Sequence, residues 1–241
     1  MSLLSHLHTL SEEDKSKAVE KLITSSTPDF DFFLLITLSI LMATFGLLID
    51  SAAVVIGSML IAPILSPILS LSLGVVMSDH KLIMRSFYTV LKSVFIGILA
   101  AAVATLFFSS PGDLLGNEIL SRIEPSLIYF LIAMIAGIAV SYSLVQPELS
   151  ETLPGIAIAV ALIPPLAVIG IGIAKLDWAI VSGSTVLFFV NVIGIIFASI
   201  LSFSLMNLYR KRVVAKETIQ KEEERLEDEK VLAEVLDEVH K

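Results

Sequence analysis

At 241 residues, 56% of them hydrophobic and 17% charged, the chain is too apolar for a soluble domain of its size. Its net charge of −8 is gathered in the tails, since residues 32–209 hold only 8 of the 24 acids and 5 of the 16 bases. No basic stripe marks a nucleic-acid partner, and the lack of cysteine excludes disulfides, thiolate metal sites and cysteine nucleophiles.

Residues 11–24 predict a short amphipathic helix, with Ser11 as its cap and Glu12, Glu13 and Asp14 in the first turn. The polar first thirty residues make a cleavable signal peptide unexpected, so the first apolar segment itself directs insertion. That segment, 32–49, is followed by five more at 53–76, 87–108, 126–146, 153–174 and 179–208. A helix needs about 20 apolar residues to cross the hydrocarbon core. The expected fold class is therefore an all-α membrane protein of about six transmembrane helices. The short link Asp50-Ser51 makes the first two an antiparallel hairpin. The loop Ser109–Pro125, turned by Pro111-Gly112-Asp113, divides the six into two halves of three.

From Leu208 onward the chain predicts a helix dense in Glu and Lys. Ile219, Leu226 and Ala233 hold one seam of a coiled coil, but Glu222 and Glu229 occupy the other, and the heptad fails. A stripe of Val231, Leu232, Val235 and Val239 is left to dock on the N-terminal helix, on a second subunit or on nothing. The expected organisation is an N-terminal segment 1–31, a transmembrane domain 32–208 with halves 32–108 and 126–208, and a charged C-terminal helix 209–241. With both termini cytoplasmic, Lys15, Lys17, Lys21, Lys81, Arg85 and Arg210-Lys211-Arg212 fall inside. Only Arg122 and Lys175 fall outside, as the positive-inside rule asks. A four-span chain with re-entrant second and fifth segments puts Lys81 and Arg85 outside and ranks second.

Those two segments are interrupted by proline, the second at Pro63 and Pro67 and the fifth at Pro154, Pro164 and Pro165. Proline removes a backbone donor and clashes with the preceding turn, so each segment is expected to break. A shift of 98 residues takes Gly57 to Gly155, Pro67 to Pro165, Gly74 to Gly172, Asp79 to Asp177 and Asp50 to Glu148. Three spans per half make such halves enter from opposite sides. The expectation is two inverted three-helix repeats about a pseudo-two-fold axis in the membrane plane.

The hairpin from Gly46 to Pro63, with Gly57-Ser58-Met59-Leu60-Ile61-Ala62-Pro63, resembles the first signature of the domain of unknown function 389 family. Leu153 to Gly172, with Leu162-Ile163-Pro164-Pro165, resembles its second signature. Arg122-Ile123-Glu124-Pro125 resembles its loop motif, and Asn191 sits where a late-segment Asn recurs. The resemblance covers roughly residues 35–200 and implies a polytopic membrane protein of the prokaryotic inner membrane. Ser58 stands where the pattern has Ala, and Tyr129 lies near where members carry an acid, which weakens a site built on that acid.

His6, His8, His80 and His240 all lie away from mid-membrane depth, and no Asp, Glu or His lies deep in a span. Proton relays and intramembrane proteolysis are thereby disfavoured, no Walker-type loop suggests ATP hydrolysis, and neither an enzyme nor a cofactor or metal is expected. Two function classes remain. One is a secondary transporter or channel for a small neutral or singly charged solute, sited at Ser66, Pro67, Pro164, Pro165, Asn191 and Ser58. The other is a non-transporting membrane scaffold or sensor in which the breaks only shape packing. Ser66 lies between two prolines, and Asn191 brings a full amide into an apolar span. Asp50 and Glu148 mark interfaces or gates. The expected partners are the lipid bilayer and the solute, with a homo-oligomer left open.

Overall fold

The computed structural model describes residues 11–109, 115–146, 148–149 and 162–239. Helix α1 (Glu12–Ser25) starts where the sequence places it, with the Ser11 hydroxyl accepting the Asp14 N–H at 3.0 Å. Then follow α2 (Phe30–Leu48), α3 (Ala52–Ile61), α4 (Leu65–Met77), α5 (His80–Phe108), the single turn α6 (Asn117–Leu120) and α7 (Leu127–Val145). After 150–161, which lie outside the described residues, come α8 (Ile163–Ala174), α9 (Trp178–Leu205), a 3-10 turn (Leu208–Lys211) and α10 (Arg212–Val239). Helices α2, α5, α7 and α9 are each long and apolar enough to cross a membrane. So is the pair α3–α4 if taken as one span, although it bends by 51° at its break. The first part of the fifth expected segment, including Pro154 and Gly155, falls outside the described residues, as does the turn Pro111-Gly112-Asp113.

The helix boundaries keep the 98-residue shift. It carries the starts of α4 and α5, Leu65 and His80, onto those of α8 and α9, Ile163 and Trp178. It also carries α2 onto α7 to within one residue at each end. The packing follows the same exchange: α2 lies against α5 as α7 lies against α9, and α4 and α8 each pack on both α5 and α9. Ten consecutive residues of α8, Ile163 to Gly172, are buried, as expected of a helix that is apolar all round.

Three tight helix–helix turns share one design. The N–H groups of Ser51, Asp79 and Asp177 return to the carbonyls of Gly46, Gly74 and Gly172 at 2.8, 2.9 and 2.9 Å. The residues before them, Asp50, Ser78 and Leu176, are left-handed with φ of 54°, 50° and 55°. This is the six-to-one closure that ends many helices, here with the glycine upstream of the left-handed position. The glycine is needed for space, because a β-carbon on Gly74 would lie 2.9 Å from Ile83 Cγ1 and one on Gly172 2.9 Å from Val181 Cγ2. Asp79 and Asp177 then cap the next helix, each carboxylate accepting two N–H groups at 3.0–3.2 Å.

One end of the array is polar and tied. Helix α10 packs on α1, burying Ala215 and Ile219. Ion pairs join Lys211 to Glu12 at 3.0 Å, Arg225 to Asp29 at 2.9 Å and Lys81 to Glu223 at 2.6 Å. The docked face of the tail is thus Ala215–Thr218–Ile219, while Val231, Leu232 and Val235 are exposed. At the other end Asp50 and residues 115–124 come together. Ser184 donates to the Arg122 carbonyl at 2.9 Å, and Arg122 pairs with Glu118 at 2.7 Å.

Candidate functional site

The break in the second segment falls at Ala62-Pro63-Ile64. Pro63 has no N–H to offer the Met59 carbonyl, so the helix cannot continue through it. The last turn of α3 is closed from the side instead. Ser39 of α2 donates to the Ser58 carbonyl at 2.7 Å, and the Ser58 hydroxyl donates to the Val55 carbonyl at 2.6 Å. Both serines are fully buried. The Ser58 hydroxyl therefore serves its own helix.

The other prolines sit at helix starts. Pro67 is the third residue of α4, and Pro164 and Pro165 are the second and third of α8. A missing N–H costs little there, because the first turn has no intrahelical acceptor for it. The prolines also delete donors from the turn that would otherwise present them, two of the first three in α8. What remains for a ligand is the positive end of the helix dipole more than a row of N–H groups. Ser66 keeps its N–H, which donates to the Pro63 carbonyl at 3.2 Å, and its side chain is half-buried. Asn191 is buried on α9, which packs on both α4 and α8, and the shift pairs it with buried Ser93 on α5.

The two acidic positions differ. Asp50 accepts the Glu118 N–H at 2.8 Å, and a β-carbon on Gly116 would meet its carboxylate oxygen at 2.5 Å. It clasps the α2–α3 turn to the segment before α7. Glu148 is exposed in a short turn.

Helices α4 and α8, each packed on both α5 and α9, line with them a laterally open cleft of about 350 Å³. The half-helices supply Ile68 and Leu71 from α4, and Leu166 and Ile169 from α8. The long helices supply Phe87, Val90, Leu91, Val94 and Ile98 from α5, and Thr185, Phe188, Phe189, Val192 and Ile196 from α9. Every residue of the first half is matched by its partner 98 positions on, giving seven pairs and no remainder. Sequence reasoning passed over these residues because apolar side chains carry no chemical signature. The 98-residue shift was the signal that could have found them.

The array of long apolar helices closed around an apolar centre defines a polytopic α-helical membrane protein. Residues 59–197 match the model of the domain of unknown function DUF389, and the chain belongs to that family. It is 32% identical over 223 residues to an uncharacterised protein of Methanocaldococcus jannaschii, covering 88% of this chain and 68% of that one. No solved structure matches it.

Proposed function

We propose that the protein is a secondary transporter or channel for a small neutral or singly charged solute, working at the junctions of its two proline-interrupted segments. The observation that carries this reading is the central cleft, which begins one residue beyond Pro67 and Pro165 and is lined by matched residues of both halves. In an inverted repeat that position is the bilayer midplane, where discontinuous helices of secondary transporters build their sites. The positive dipole ends of α4 and α8 both start there, with Ser66 two residues before the first lining residue of α4 and Asn191 next to Val192 on α9. Among the described residues the lining holds no charge to offset the desolvation of a strongly charged cargo.

A six-span arrangement with repeats 32–108 and 126–208 underlies the proposal. The ties at the two ends support it. The Asp79 turn is held to α10 through the Lys81–Glu223 pair, whereas Asp50 meets the 115–124 segment. The bent pair α3–α4 thus connects opposite ends of the array, as a spanning segment does. Helices α1 and α10 share one end, which the lysine and arginine bias places in the cytoplasm. The reading assigns no catalytic step.

The satisfied serines at the first break favour the alternative of a scaffold or sensor, so the test must separate the two. Single cysteines at Ser66 and Pro164, in this naturally cysteine-free chain, are expected to react with a membrane-impermeant thiol reagent in sealed vesicles. If neither reacts from either side, the junctions are dry and the scaffold reading replaces transport. Cysteines at Asn117 and Lys230 are expected to label from opposite sides, and labelling from one side removes the six-span arrangement.

A further inference from the structure

We infer that the central cleft is a binding site for a single hydrocarbon chain of a membrane lipid. The inference rests on the two-fold, membrane-spanning arrangement proposed above but not on transport. The cleft residues of α5 lie between Phe87 and Ile98 in a helix running from His80 to Phe108, and those of α9 between Thr185 and Ile196 in Trp178–Leu205. Both sets occupy the middle of a spanning helix, at the depth reached by acyl chains and by no headgroup.

The lining leaves nothing for water to hold. Thr185 is its one polar side chain among the described residues, and that hydroxyl already donates to the Val181 carbonyl at 2.7 Å. A buried water needs two to four polar partners, so the space is either void or filled by an apolar group. A void forfeits dispersion contacts along its whole lining, and protein interiors leave few of that size. The way in is lateral, because Phe87, Leu91 and Phe189 at the rim are 49%, 52% and 55% exposed. A helix of a second copy, about 10 Å across with its side chains, is the competing occupant and is read out below by cross-linking. A flexible, unbranched chain from the surrounding bilayer is the occupant whose shape, polarity and depth all match.

The test uses phosphatidylcholine spin-labelled deep in one acyl chain, added to the full chain in vesicles of unlabelled phosphatidylcholine. The expected spectrum contains a strongly immobilised component of about one lipid per protein, displaced from the wild type by excess oleate. Val94→Phe and Val192→Phe, on opposite walls, are each expected to reduce that component at least fivefold. Ile193→Phe, at the same depth on the outward face of α9, leaves it unchanged. A component that both filling variants retain, or that Ile193→Phe reduces equally, overturns the inference, because the lipid is then only boundary lipid. Disulfide-linked dimers formed by Leu91→Cys in place of lipid binding overturn it in favour of a second copy. The oleate displacement is read on the wild type and stands even if a filling variant fails to fold. Reactivity at Ser66 and Pro164 reads the proline junctions and spin-label immobilisation reads the cleft, so failure of transport and failure of chain binding are distinguished.

Discussion

Helices α4 and α8 begin at equivalent residues, run to equivalent turns and wall the same cleft, yet their first turns differ in chemistry. Where α4 has Ser66, with an N–H and a hydroxyl, α8 has Pro164, with neither. The same holds for other pairs: Ser93 corresponds to Asn191, Phe87 to Thr185, and Asp50 in a left-handed turn to exposed Glu148. What the halves share is what the backbone needs to turn and pack, namely Gly74 and Gly172 at the turns into α5 and α9, the aspartate caps there and the apolar cleft. What they do not share is polar. Architecture constrains both halves alike, while the polar groups they carry at matched positions differ.

The two halves differ most in packing at Gly170, whose counterpart is the buried Ser72. A β-carbon on Gly170 would lie 2.5 Å from Ala101 Cβ and 2.7 Å from the Ile98 carbonyl oxygen, and backbone cannot swing aside. Gly170→Ser, which copies the other half, is therefore expected to cost about 3 kcal/mol or more, at the upper end of overpacking effects. Ser72→Gly, the reverse copy, is expected to cost about 1 kcal/mol through backbone entropy. Unfolding in mixed micelles measures both. Equal effects would show that the two half-helices do not pack as differently as the glycine implies.

The aspartate caps sharpen the same point from the shared side. Asp79→Ala and Asp177→Ala are each expected to lose about 1 kcal/mol, since each carboxylate satisfies two helix-start donors. Asp79 also lies 3.7 Å from Arg212, a pair that adds a few tenths of a kcal/mol at most. Ser39→Ala tests the break that only the first half shows among the described residues. It leaves the Ser58 carbonyl without the α2 hydroxyl and is expected to cost about 1 kcal/mol.

Hydropathy alone placed the long helices, and the cap at Ser11 was readable because polar capping residues precede apolar periodicity. The pairing of Asp79 with Asp177 was readable too, because turn residues recur in one ungapped register. The position of the break was not. Of two prolines four residues apart, Pro63 breaks the helix and Pro67 starts one, and only the packing of α2 on the Ser58 carbonyl distinguishes them. The prolines of α8 sit at a helix start as Pro67 does, and the residues before Leu162 lie outside the described ones. The tail shows the same limit. Glu222 fails the heptad because it faces a hydroxyl, accepting from Thr24 at 3.0 Å, a partner 198 residues away that no local pattern reveals.

The smallest expected effect lies at the tied end, where the two tails meet and the halves have no equivalent. Hydrogen bonds from Lys15 and Lys211, with desolvation opposing them, hold the Glu12 carboxyl down at about 2, from an ordinary value of 4.5. A depressed carboxyl contributes stability that is present above its unfolded value and lost as pH falls through its folded one. The docking of α10 on α1 is therefore expected to weaken between about pH 4.5 and pH 2 and to be insensitive to this group at neutral pH. The side chain of Glu12 is largely solvent-exposed, so screening keeps the contribution below about 0.5 kcal/mol. Hydrogen exchange along α10 measures it, with Glu12→Gln as reference. The wild type should lose protection over that window and Glu12→Gln should show a smaller change. An identical acid profile in the two would assign the weakening to the Arg225–Asp29 and Lys81–Glu223 pairs instead.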